Sequence, residues 1–196
     1  MITLIYPSIP AATLPRPTAS DPTGPEFAPN TEMLPVVEDS GLVVAQASRE
    51  YCHRTGLMHP VVHLHIIDRK GRLFLQKRSP SRESWPCRWD SAVGGHVVYG
   101  ESLEAALMRE SKEELGFTAF NPVSLGCFVF KGTTECEQVH LFAAVGSFNL
   151  HPHNAEVSEG RWWEMQEIED NLGKSVFTPN FEEDFGRVRH SLEALL

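Results

Sequence analysis

The 196-residue chain is 41 % hydrophobic with a formal net charge of -9, enough apolar mass for one packed domain with a segment to spare. The acidic balance argues against a nucleic-acid backbone or an anionic membrane as the main partner, since both call for fields of Lys and Arg. No apolar run reaches the ~18 residues of a membrane helix, and Cys52, Cys87, Cys127 and Cys136 form no CxxC pair. With no basic leader pattern at Met1–Tyr6, the expectation is a cytoplasmic protein with reduced thiols.

Residues 1–32 hold seven prolines, from Pro7 to Pro29. Each removes a backbone donor, so this segment reads as a flexible, partly extended tail. The folded domain is expected over residues 33–196. Val36–Val37 and Leu42–Ala45 flank Glu38-Asp39-Ser40-Gly41 and predict a hairpin. Val61–Ile67 predicts a strand, and the turn Asp68-Arg69-Lys70-Gly71 leads to a second at Leu73–Lys77. A short apolar strand at Trp89–Val93 precedes Gly94-Gly95. Residues 102–115 predict a helix, Cys127–Phe130 and Val139–Val145 two strands, and Gly160–Glu164 another. A short helix near Met165–Asn171 and a C-terminal helix over Phe181–Leu196 complete a mixed α/β pattern.

The segment from Gly95 to Phe117 carries the chemistry. Ser102 is a good N-cap and Glu104 suits the positive end of the helix dipole. Leu103, Ala105, Ala106, Leu107 and Met108 propagate the helix, and Gly116 stops it. Glu110, Glu113 and Glu114 stand at i, i+3 and i+4, so the three carboxylates share one helix face. Alone they repel. A hard divalent cation such as Mg²⁺ or Mn²⁺ makes the cluster favourable. The competing reading is a solvated acidic face. Arg109 beside them is placed to pair with Glu101 and clamp the loop onto the helix.

The full spacing decides between these. Gly95, Glu101, Arg109, Glu110, Glu113, Glu114 and Gly116 stand at the intervals of the Nudix signature, and the chain resembles the Nudix hydrolases on these residues. Ser111 departs from the signature, which has an aliphatic residue there. The resemblance implies a Nudix-type α/β/α sandwich with a mixed sheet and a metal-binding loop–helix. It further implies hydrolysis of a phosphoanhydride bond in a small nucleoside- or metabolite-diphosphate by metal-activated water. Carried over, Glu110, Glu113 and Glu114 would be metal ligands, the Gly95 carbonyl another, and Glu101 with Arg109 orienting groups.

A narrower resemblance joins Leu57-Met58-His59, Val93-Gly94-Gly95-His96 and Glu135-Cys136-Glu137 to the type 1 isopentenyl diphosphate isomerases, a branch of the same fold. It implies His59, His96, Glu135 and Glu137 as metal ligands, with His53 less securely aligned. Arg78 and Arg82 lie where those isomerases carry diphosphate-binding cations. The isomerase reaction needs a Cys directly before the Gly-His, and here that position is Gly94. Its carbocation-stabilising Trp corresponds to Asn180. An isomerase therefore ranks behind a hydrolase, as does a non-catalytic ligand-binding regulatory domain, and a homodimer stays open. His63 and His65 share a strand face as pocket lining or packing. Glu156 and Glu159 read as auxiliary bases or surface charges. Trp162 and Trp163 are expected to split between the core and a substrate wall.

Overall fold

The computed structural model describes residues 31–132, 135–151 and 155–196. Nearly all of the expected tail, residues 1–30, lies outside the described residues. Strands β1 (Met33–Val37) and β2 (Val43–Ser48) pair antiparallel as the expected hairpin. Gly41 supplies the left-handed backbone of its turn, at φ 81°. Helix α1 (Arg49–Thr55) follows at once. Ser48 caps it by accepting the Tyr51 N–H, and Gly56 ends it in the αL conformation.

The larger sheet is built around β3 (His59–Ile67), whose nine residues are all buried. After it come β4 (Leu73–Arg78), β5 (Trp89–Asp90), β6 (Val93–His96), β7 (Val123–Lys131), β8 (Cys136–Val145) and β9 (Val157–Trp163). The order is β5-β4-β3-β8-β7, with β6 also paired to β3 and β9 to β4. The β3–β8 pair is parallel and the other pairs are antiparallel, so the sheet is mixed. Trp89–Val93 is not one strand as expected: β5 and β6 are separated at Ser91-Ala92.

Helices cover both faces. Helix α2 (Leu103–Leu115) packs Ala106, Leu107 and Leu115 against Val62, Leu64 and Ile66 of β3. On the opposite face, α3 (Met165–Asn171) and α4 (Pro179–Glu193) bring Ile168, Phe181, Phe185 and Val188 onto Val61, Ile67, Val139 and Leu141. The period-2 alternation of β3 thus feeds two separate cores. Pro179 opens α4 where its missing N–H costs nothing, after the Thr178 cap. Trp163 belongs to the α4-side core and Trp162 packs on the α2-side core beside Phe74. The expected substrate wall is therefore not made by Trp162; its indole is taken up by packing.

Ser111, the departure from the signature, is fully buried on α2 and its hydroxyl has no hydrogen-bond partner among the described residues. Burying an unpaired hydroxyl is costly, and Ala is the better helix former. Ser111→Ala is therefore expected to raise stability by about 1 kcal/mol, read as a higher urea midpoint at unchanged slope. A lower midpoint would show that the hydroxyl is bonded in solution.

Candidate active site

The loop between β6 and α2 is held by one guanidinium. Arg109 donates from Nε to Glu101 Oε1 at 3.0 Å and from Nη2 to Glu101 Oε2 at 2.9 Å. The same group donates to the His96 carbonyl at 2.9 Å and to Glu110 Oε1 at 2.6 Å. Glu101 in turn accepts the Val98 N–H at 3.2 Å. The sequence-derived clamp is present, and it fixes Glu110 as well as the loop.

The three carboxylates of α2 are graded from core to solvent. Glu114 is only 5 % exposed and accepts from Gln76 Nε2 at 3.1 Å and from the Gly94 N–H at 3.2 Å. Burial, together with the charge of Glu110, pushes its pKa up to about 8. Burial raises Glu110 to about 6 despite the opposing Arg109 contact. Glu113 stands at the rim, 3.6 Å from Arg109. Gly95 lies against this group so closely that an added Cβ would stand 2.0 Å from Glu110 Cδ. Backbone and carboxylate meet there because residue 95 has no side chain.

A second cluster lies on the other side of the same loop. His53 from α1, His59 from β3 and His96 from β6 each bring a ring nitrogen within 4.8 Å of the others. His53 Nε2 and His96 Nε2 are 3.1 Å apart. His59 Nδ1 bonds the Leu57 carbonyl at 2.9 Å, which leaves its Nε2 buried and without a partner among the described residues. Burial lowers the pKa of all three rings and keeps them neutral, the form that binds metal. Glu137 sits opposite His59 in the β3–β8 register. Its pKa is raised to about 7 by burial, against the pull of His63 and with the charges of Glu135 and Asp184 adding to the rise. It accepts from Asn180 Nδ2 at 3.1 Å.

His53 and His96 of the histidine cluster and Gly95 of the loop border an open cavity of about 700 Å³, whereas Glu110, Glu113, Glu114 and His59 are not among its lining residues. Glu135 and Glu137 line it, as do Arg78 and Arg82. Arg78 bonds the Ser84 carbonyl at 2.9 Å and Asp90 at 3.4 Å, and Arg82 pairs with Glu156 at 2.7 Å. Glu159 pairs with Lys77 at 3.6 Å and is not among the lining residues. None of the lining residues is a cysteine. Sequence reasoning missed α1, Gln76, Asp90 and the partnership of His63 with Asp184. Only α1 had a local signal, the Ser48 cap and the Gly56 stop.

A NUDIX domain model matches residues 57–181, which include β3, the clamped loop, α2 and the start of α4. The chain belongs to the Nudix family. It is 32 % identical over 162 residues to an uncharacterised Nudix hydrolase of Streptomyces coelicolor, covering 81 % of this chain and 88 % of that one. It is 28 % identical over 163 residues to an isopentenyl-diphosphate Delta-isomerase of Brevibacterium linens, covering 79 % and 90 %. The crystal structure of DR0079 from Deinococcus radiodurans superposes with a TM-score of 0.71 at 26 % identity, over 80 % of this chain and 98 % of that one. The protein is thus a Nudix pyrophosphohydrolase of a branch that also holds isomerases.

Proposed function

We propose that this Nudix protein hydrolyses the phosphoanhydride bond of a small nucleoside- or metabolite-diphosphate with Mg²⁺ or Mn²⁺ in the cytoplasm. The observation that carries the reading is the packing of Gly95 against Glu110 beside Glu114, where burial raises the pKa of both carboxylates despite the contacts of Arg109, Gln76 and Gly94. That donor set fits a hard divalent ion: Glu110, Glu113 and Glu114 would hold it, with the Gly95 carbonyl. The histidine cluster fits a second ion, because His59 Nε2 is a buried lone pair without a donor among the described residues. His53, His59, His96, Glu135 and Glu137 would hold that one. A bound divalent ion supplies an acidified water and neutralises phosphoryl charge.

The chain's own groups do the rest. Arg109 keeps Glu110 aimed at the loop while leaving its second oxygen free of that contact. Gln76 and the Gly94 N–H hold Glu114 from behind, which fixes its carboxylate beside the loop as a ligand. Arg78 and Arg82 would exchange Asp90 and Glu156 for phosphate oxygens, to which a guanidinium fork is better matched. The test is release of phosphate or pyrophosphate from a panel of diphosphate metabolites with Mg²⁺ or Mn²⁺, run beside Glu114→Gln. Turnover absent on every compound, with metal binding retained, would favour a regulatory binding domain. Conversion of an isoprenoid diphosphate without phosphate release would favour the isomerase.

The two-cluster reading makes a separate prediction. Glu135→Gln with Glu137→Gln is expected to lower the bound Mn²⁺ stoichiometry by one ion while the α2 ion stays. Unchanged stoichiometry in the double variant would remove these acids from metal binding.

A further inference from the structure

One charged pair at the cavity has no task in that scheme. Asp184 of α4 is fully buried, and His63 of β3 is 8 % exposed and lines the cavity. His63 Nδ1–H donates to Asp184 Oδ2 at 2.7 Å. His65 Nε2 stands 3.3 Å from the same oxygen. With Nδ1 engaged, the ring's orientation and tautomer are set and Nε2 is the remaining nitrogen. It makes no hydrogen bond among the described residues, yet it is not one of the sealed polar atoms of the interior. An added Cβ at Gly94 would stand 3.7 Å from it, in ordinary contact. Nε2 therefore lies in the cavity wall beside the loop that carries Gly95 and His96.

The groups that face His63 come from several elements. Asp184 is on α4, His65 on β3, Glu137 on β8, Asp90 on β5 and His96 on β6. Burial disfavours charge on the ring, but the charge and hydrogen bond of Asp184, with Glu137 and Asp90 adding to them, raise its pKa to about 9. The buried Asp184 carboxylate on Nδ1 favours the protonated ring, in which one donor is spent inside the protein and the other is turned to the cavity. Desolvating such a pair is costly, and a neutral pair would pin α4 to β3 as well. An N–H left open on a buried cation calls for an acceptor, and an anion is the best one.

We infer that His63 is a substrate contact, whose Nε2–H donates to a phosphoryl oxygen of the diphosphate, and that Asp184 is its positioning residue. The inference rests on the reading of the cavity as a diphosphate site. No proton need change hands; the contact adds a fixed positive donor to a cavity that Arg78 and Arg82 also line and that is otherwise rich in carboxylates.

The test is a titration of the full-length protein, labelled with ¹⁵N-histidine, with methylenediphosphonate and Mg²⁺. This non-hydrolysable diphosphate separates binding from turnover. The His63 Nε2 resonance is expected to shift on binding while Nδ1 stays protonated. His63→Gln should weaken the Kd by about tenfold or more, with the circular dichroism unchanged. Asp184→Asn should weaken it less, and the loss should shrink as pH is lowered from about 8 to about 6, because a ring without its counter-charge regains its proton there. A purely structural role would not give that pH dependence. Binding that leaves His63 Nε2 unmoved in the wild-type protein, or an unaltered Kd in folded His63→Gln, overturns the inference alone. Absence of any binding to the wild-type protein overturns it together with the diphosphate reading.

Discussion

Glu114→Gln is expected to lower kcat by roughly three orders of magnitude while leaving the fold in place. The substitution keeps size and shape. A Gln oxygen can still accept the Gly94 N–H and the Gln76 amide that hold Glu114. What disappears is the negative charge and the ability to take a proton. Since burial already disfavours that charge, the metal-free variant should melt at or above the wild-type temperature. The wild type should gain more than the variant when Mg²⁺ is added, because only the charged site binds the ion tightly. Phosphate release and melting temperatures with and without Mg²⁺ check both halves. Glu113→Gln, at the exposed end of the same face, is expected to follow in activity. Near-normal turnover in both variants would remove the α2 carboxylates from the mechanism.

Gly95→Ala is expected to reduce kcat/KM by about a hundredfold, the usual cost of displacing a reacting group by an ångström. A Cβ at this position would meet Glu110 at Cδ, Cγ and Oε1, the closest approach being 2.0 Å. The helix cannot retreat without breaking the bidentate Arg109–Glu101 lock. The loop cannot retreat either, because Arg109 also holds the His96 carbonyl. Glu110 is therefore the part that swings away, and it leaves Arg109 as it does so. A double-mutant cycle tests this account. Glu110→Asp shortens the side chain and makes room, so its cost should be smaller in the Gly95→Ala background than in the wild type. Additive effects, or a fully active Gly95→Ala protein, would show that the close contact has no bearing on function.

What could be read from the sequence was what local chemistry determines. Helix α2 was legible to the residue at its Ser102 cap and its Gly116 stop, because both are written in residue types that suit those backbone conformations. The hairpin around Gly41 was legible for a similar reason. Helix α1 was missed although its Ser48 cap and Gly56 stop were there to read: Cys52 is its only buried residue, so it shows no apolar period. Its absence from the sequence reading left His53 without a place, although the ring closes the histidine cluster. Gln76 behind Glu114, Asn180 on Glu137 and Asp184 on His63 were also beyond reach. Each joins segments far apart in the chain, and no local pattern encodes such a meeting. The tryptophans show the reverse error: alternation correctly separated Trp162 from Trp163, but both of them turned out to pack on cores.

The parallel pairing of β3 with β8 bears on how the molecule assembles. It aligns residues 59–67 with residues 137–145, and everything between them must be looped out before the two strands meet. Such long-range closure is slow in entropic terms and makes β3 a late beneficiary of the sheet it centres. A nascent chain that has just completed α2 already owns its three carboxylates but lacks Glu135 and Glu137. The histidine cluster and its acids would come together only when β8 docks, since Glu137 reaches His59 through that register. On the two-cluster reading, a divalent ion present during refolding would bridge the two strands and act as a template for closure. Catalytic competence would then appear in two stages during synthesis, and a ribosome stalled before β8 would display half a site.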